Sequence, residues 1–173
     1  MERLGFIGMG NMAQALALGF IRSGSIAKEN VFAYAPHQDK LKKNAAAIGF
    51  TPLGSLAELA GACDTLVMAC KPYQIEAVVA ELGEKLAGKA LLSIAAGWDY
   101  ARYQAVLPAS TRVQFIMPNT PAMVAEGVLL FEETNSLTAE EHAAAVRLFA
   151  SVGLVQELPS SLMGIGGPVT GCG

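Results

Sequence analysis

Charge is scarce in this sequence. Asp, Glu, Lys and Arg together make up 16% of 173 residues, against roughly 25% in an ordinary domain. No run of Lys or Arg stands out and the formal net charge is −3, so nucleic acid and anionic membrane are poor partners. Apolar runs that approach the roughly 20 residues needed to span a bilayer are missing. No charged leader with a cleavage site precedes the first strand-like segment, so neither a membrane anchor nor a signal peptide is expected. Histidine occurs twice, as His37 and His142, and cysteine three times, as Cys63, Cys70 and Cys172. An odd number of cysteines without metal-ligand spacing argues against a disulfide framework or a metal site, and reduced thiols in a cytoplasm are the simplest reading. Neither Cys70 nor Cys172 has a histidine close in sequence, so both read as small packing residues rather than nucleophiles.

Hydrophobic residues are plentiful, at 53%. The chain is long enough to bury a sizeable core as one domain. So apolar a composition implies surface covered by a partner or a further domain. Strands are expected at residues 3–8, 31–35, 50–53, 65–70, 90–94, 113–117, 127–131 and 154–158. Between them lie helical patterns at 11–23, 39–48, 73–86 and, short, 99–106, with Gly49 in the left-handed cap position after the second. Ser55 with Glu58, and Thr138 with Glu141, read as capping boxes, the latter opening a helix to about Ser151. This alternation predicts an α/β fold, a Rossmann-like doubly wound and mostly parallel sheet over residues 1–158. The tail changes character. Gly164, Gly166, Gly167, Gly171 and Gly173 crowd its end, and residues 159–173 read as a hinge toward a further domain.

Gly8-Met9-Gly10-Asn11-Met12-Ala13 follows the first strand and opens the first helix. In a βαβ unit such a turn holds a dinucleotide. The first glycine permits the tight turn, the second lets the backbone approach the pyrophosphate, and a small residue at Ala13 lets helix and strand pack closely. N–H groups at the helix start then face the anion. Ile7, Gly8, Gly10, Asn11 and Met12 are therefore candidate cofactor residues, although a glycine turn that merely packs tightly reads the same way. The second strand ends Tyr34-Ala35-Pro36-His37. An NAD site places Asp or Glu at that end to hold the ribose 2′-OH. None stands there, and His37, with Lys40 and Lys43 beyond it, offers to pair with a 2′-phosphate. That favours NADPH beside Ala35 and His37, with NADH left open. No arginine helps, and an exposed turn histidine beside a solvated lysine face is the plain alternative.

Ligands of an open α/β sheet bind at the carboxyl ends of its strands. Ala69, Lys71 and Pro72 follow the fourth expected strand, and Ala95, Ala96 and Gly97 follow the fifth; their small side chains permit close approach of ribose or nicotinamide. Pro118 and Pro121 stiffen a loop carrying Asn119, whose amide offers a donor and an acceptor suited to a carboxamide or an imine. Lys71 as a surface lysine and Asn119 as a turn cap are the bland alternatives. Trp98 reads equally as a cofactor flank, core or interface.

Four segments resemble, in order and spacing, those of pyrroline-5-carboxylate reductases. They are Gly5-Phe6-Ile7-Gly8-Met9-Gly10-Asn11-Met12-Ala13, Ala69-Cys70-Lys71-Pro72, Ser93-Ile94-Ala95-Ala96-Gly97, and Met117-Pro118-Asn119-Thr120-Pro121-Ala122 with Glu126-Gly127-Val128 after it. The resemblance covers the whole chain, and the last segment discriminates most, since Rossmann dehydrogenases in general lack it. Two departures stand out. Phe115 occupies a position where the family usually carries Arg, so packing must order the loop there. The tail Val169-Thr170-Gly171-Cys172-Gly173 resembles the family's Ser-Gly-Ser-Gly-Pro-Ala, with Thr170 and Cys172 for the serines, and stops before the proline.

The resemblance implies a 6-phosphogluconate-dehydrogenase-like N-terminal domain that binds NADPH. It implies reduction of the cyclic imine of 1-pyrroline-5-carboxylate to L-proline, the last step of proline biosynthesis. It further implies a helical domain beyond residue 173 that dimerises and supplies most of the proline-side pocket, a homo-oligomer at full length, and an isolated chain that is inactive. Gly8, Gly10, Asn11 and Met12 would meet the pyrophosphate. Ala35 and His37 would lie near the 2′-phosphate, and Ala69, Lys71, Pro72, Ala95, Ala96 and Gly97 around the nicotinamide ribose. Asn119 would lie between nicotinamide and substrate as the catalytic candidate. A protonated imine already accepts hydride well, so a strong protein acid is not obligatory, and none stands out. Two alternatives remain: a β-hydroxyacid-dehydrogenase-like reductase of the same fold, which is not expected to carry the Met117-to-Pro121 segment in this form, and a non-enzymatic nucleotide-sensing module.

Overall fold

The apolar runs assemble into one eight-stranded sheet in the computed structural model, which describes residues 2–172, with side chains over 2–166. The strands are β1 (Leu4–Ile7), β2 (Val31–Tyr34), β3 (Thr51–Pro52), β4 (Thr65–Met68), β5 (Ala90–Ser93), β6 (Arg112–Met117), β7 (Gly127–Glu132) and β8 (Gly153–Leu158). Their order is β3-β2-β1-β4-β5-β6-β7-β8. β1 to β6 run parallel, with Ile7 beside both Tyr34 and Met68, and Met68 beside Ser93. β7 turns antiparallel against β6, and β8 runs parallel to β7. Strand order therefore reverses between β1 and β4, the position at which a doubly wound sheet opens a crevice at its carboxyl edge.

Central strands buried on both faces are nearly continuous apolar runs, and β1, β4 and β5 are fully buried, with Thr65 and Ser93 their only polar side chains. Leu4, Phe6, Val67 and Leu92 point into one core, shared with Leu16 and Phe20 of helix α1 (Asn11–Arg22) and Phe149 of helix α6 (Ala139–Ala150). Ile7, Leu66, Met68 and Leu91 point into the other, shared with Leu59 of α3 (Leu56–Ala62) and Ile75 and Val79 of α4 (Ile75–Leu82). Helix α2 (Gln38–Ile48) ends at Gly49, which is left-handed at φ +105° as its cap position requires.

Three local expectations change. The helix expected over 73–86 is divided, because Gly83 at φ +47° ends α4 and a 3₁₀ turn Gly83–Leu86 follows. Ser55 caps α3 by accepting the Glu58 N–H, but the Glu58 carboxylate takes the Gly54 N–H instead of closing a capping box. The glycine-rich stretch read as a hinge is helical, as α7 (Ser160–Cys172). Glycine is a poor helix former, but a side chain at Gly166 would stand 2.6 Å from Leu130 Cδ1 and 3.0 Å from Leu158 Cδ1. Smallness there lets the helix lie close on the sheet, and packing outweighs propensity. Gly173 lies outside the described residues. No helix among the described residues is long and apolar enough to cross a membrane.

Candidate functional site

The crevice begins at the glycine turn. The Gly8 N–H donates to Tyr34 O at 2.8 Å, continuing the β1–β2 ladder past Ile7, and the Ala69 N–H returns to Ile7 O at 2.9 Å. Gly8 has φ +94°, and a Cβ on it would stand 2.9 Å from the Ala69 carbonyl and the Cys70 nitrogen. Both conformation and space demand glycine. Gly10 differs. It is the N-cap of α1 at φ −74°, a backbone any residue adopts, and a Cβ there would meet nothing within 4 Å. Gly10 also brings no side chain to cap α1, which leaves the helix start open toward an anion. Ala13 is buried against the strands, and Gln14 Nε2 holds the turn by donating to Met9 O at 3.0 Å.

At the end of β2, His37 is an exposed N-cap of α2 that makes no side-chain cap bond. Lys40 and Lys43 are exposed on the same helix, as is Asp39 in its first turn. Gln38, which sequence reasoning passed over, fixes this corner: its Nε2 donates to Ala35 O at 2.9 Å and Leu53 O at 3.2 Å.

After β4, Lys71 and Pro72 are exposed. The Lys71 N–H is already engaged by Gln74 Oε1 at 3.1 Å, so its ammonium, not its backbone donor, is what it presents. After β5 the chain makes a tight turn, with the Trp98 N–H on Ala95 O at 3.2 Å. Gly97 has φ +77° at the third position of this turn, where only glycine sits without strain. Ala95 is buried, while Ala96 and Gly97 face outward. Trp98 is core, packed 5.1 Å from the Tyr103 ring.

Asn119 is 7% exposed, and its Oδ1 accepts the Val128 N–H at 2.8 Å. That bond pins the loop Thr120–Val124, a 3₁₀ turn, to β7, so the amide oxygen serves the loop rather than facing outward. Phe115 is 2% exposed and clusters with Leu130 and Met163, tying β6 to β7 and to the start of α7. The positions on β1, β2, β4 and β5 thus meet along one carboxyl edge around the β1–β4 switch, with Asn119 after β6.

Other groups lie elsewhere. Burial pushes the Cys63 thiol up to about 12 and the Cys70 thiol up to about 11, so both are protonated packing groups at neutral pH. A cleft of about 260 Å³ at the opposite strand edge is lined by Asp64, Lys89, Arg112 and Glu141 among others. Three of its charged side chains are committed: Arg112 Nε and Nη2 reach the two Glu141 oxygens at 2.7 and 2.6 Å, and Lys89 Nζ donates to Cys63 O at 2.9 Å.

Residues 3–97 match the family described as NADP oxidoreductase coenzyme F420-dependent. The chain is 33% identical to a pyrroline-5-carboxylate reductase of Treponema pallidum, covering 98% of this chain and 65% of that protein. It is 33% identical to one of Methanosarcina acetivorans, covering 94% and 60%. Among solved structures, Plasmodium falciparum pyrroline carboxylate reductase with NADP bound superposes with a TM-score of 0.88 at 30% identity, over 99% of this chain and 64% of that one. A pyrroline-5-carboxylate reductase of Coxiella burnetii gives 0.91 at 26% identity, over 99% and 64%. The chain therefore spans less than two thirds of the length of these relatives.

Proposed function

The chain belongs to the NADP oxidoreductase coenzyme F420-dependent family, and from that premise we propose that it is the nucleotide-binding part of a pyrroline-5-carboxylate reductase that works with NADPH. The observation that carries this reading is the turn at the β1–β4 switch. Gly8 can only be glycine, and the space above Gly10 is empty where a side chain would stand. Gly10, Asn11 and Met12 are the residues to hold a pyrophosphate there, with Ile7 and Gly8 shaping the turn. His37, Lys40 and Lys43 are placed to balance a 2′-phosphate at the end of β2, beside Ala35, where no carboxylate ends the strand. Ala69, Lys71, Pro72, Ala95, Ala96 and Gly97 line the side toward the nicotinamide. NADPH supplies the hydride.

The chain's own work is positioning and shielding. Asn119, through Val128, fixes the loop Thr120–Val124 that follows β6 at the nicotinamide side of the site. We assign it a positioning role rather than proton transfer, and no acid is needed to reduce an already protonated imine. Residues 1–158 are the nucleotide-binding unit and 159–173 lead out of it, with the start of α7 packed on β7. A cytoplasmic homo-oligomer with a small-molecule substrate completes the proposal. Following NADPH absorbance while the full-length protein is mixed with 1-pyrroline-5-carboxylate tests it. Oxidation coupled to proline formation is expected. No oxidation with this imine, but reduction of NADP+ by a β-hydroxyacid, would replace the substrate assignment.

A further inference from the structure

We infer that Arg102 is a positioning residue for the nicotinamide side of the site, holding the Ala95-to-Trp98 turn in a single shape; this rests on the NADPH reading above. The turn needs a lock. Its exposed outer residues are Ala96 and Gly97, and Gly97 at φ +77° can visit backbone regions of either sign. Left free, it would pay an ordering cost each time a ligand bound against it.

Helix α5 (Tyr100–Gln104) supplies the lock from two directions. Arg102 Nη1 donates to Gly97 O at 2.7 Å, fixing the peptide after the glycine, while the same guanidinium lies 4.5 Å from the centre of the Trp98 ring. A planar guanidinium can stack and donate at once, whereas an ammonium cannot do both from one place. On the other side of the turn, Tyr103 OH shares a 2.7 Å hydrogen bond with Ser93 Oγ, and that oxygen accepts the Ala95 N–H at 3.3 Å. Trp98 packs on Tyr103, so both ends of the turn rest on one short helix. α5 is itself placed at its start by Asp99, whose Oδ1 accepts the Arg102 N–H at 2.9 Å, and by the buried Glu132, whose Oε2 accepts the Tyr100 N–H at 2.8 Å. A surface arginine that merely satisfies a spare carbonyl would show one of these contacts. Arg102 makes the carbonyl bond and the ring stack together, at the turn that follows β5 on the carboxyl edge.

The test compares wild type, Arg102→Ala and Arg102→Lys by calorimetric titration with two ligands. One is NADPH. The other is adenosine 2′,5′-bisphosphate, which carries the 2′-phosphate end but no nicotinamide. Arg102→Ala is expected to weaken NADPH by about 3- to 10-fold and to leave the bisphosphate unchanged, with Arg102→Lys in between. Trp98 is the only tryptophan in the chain, so its emission, recorded without ligand, should change in Arg102→Ala as the stack is lost. NADPH affinity equal to wild type, equal weakening of both ligands, or unaltered Trp98 emission would each overturn the assignment. Wild type that binds neither ligand would instead overturn the nucleotide reading on which it rests.

Discussion

At the scale of single residues, the two glycines of the turn serve different purposes that their shared motif conceals. Gly8 is demanded by the fold, through its positive φ and the 2.9 Å approach to Ala69 and Cys70. Gly10 has ordinary backbone angles and empty space, so any demand for glycine there comes from outside the chain. Gly8→Ala should therefore cost stability, roughly 1–3 kcal/mol and several degrees in Tm, measurable by thermal unfolding without any ligand. An unchanged Tm would mean the turn can relax. The residue types at the site were legible in the sequence because short spacing to a strand end implies them. Their partners were not. Gln38, Gln74 and Arg102 act through contacts that depend on how separate loops converge. Asn119 was read from its loop alone, which could not reveal that Val128 claims its oxygen.

At the scale of elements, local chemistry was readable where it was self-contained. Thr138 and Glu141 form the expected capping box, with Thr138 Oγ1 accepting the Glu141 N–H and Glu141 Oε2 accepting the Thr138 N–H. The sequence gives no sign that the same carboxylate also holds Arg112 of β6, 29 residues away. That hydrogen bond, reinforced by the box, holds the Glu141 carboxyl below its ordinary range. A depressed folded pKa means the stabilisation is fully present above the unfolded value, about 4.3 for Glu, and is lost as pH falls through the folded value. Glu141→Gln can still accept the Thr138 N–H but loses the charge facing Arg112, so it should lower Tm by about 1–3 °C at neutral pH, the scale of a part-exposed ion pair, and its Tm curve should meet the wild-type curve in acid. An offset that persists at low pH would contradict the coupling. α7 was not readable from its glycines, because the contacts that make it a helix lie on β7 and β8.

At the scale of the whole molecule, β-α alternation sufficed for the doubly wound sheet, since strands buried on both faces announce themselves as apolar runs. The antiparallel turn of β7 was less legible, because a six-residue strand reads alike in either direction. The carboxyl edge that gathers the site is broad and open, with Gly10, Asn11, Ala96, Gly97, Thr120 and Pro121 all exposed. Close positioning of reactants can supply roughly 7–11 kcal/mol of a barrier, and an edge this open does not enclose a substrate. These 173 residues prepared alone should bind NADPH yet show no proline-forming turnover in a steady-state assay, and rates near those of the full-length enzyme would show that the pocket is already complete. Whether the β1–β4 edge is an NADPH site is tested most directly by calorimetric titration of NADPH and NADH into wild type and Gly10→Val. NADPH should bind wild type more tightly than NADH, and Gly10→Val should remain folded, with a Tm lowered by no more than the few degrees a poorer N-cap costs, while binding neither. NADH binding as tightly as NADPH, or a folded Gly10→Val with unchanged affinity, would contradict an NADPH site there.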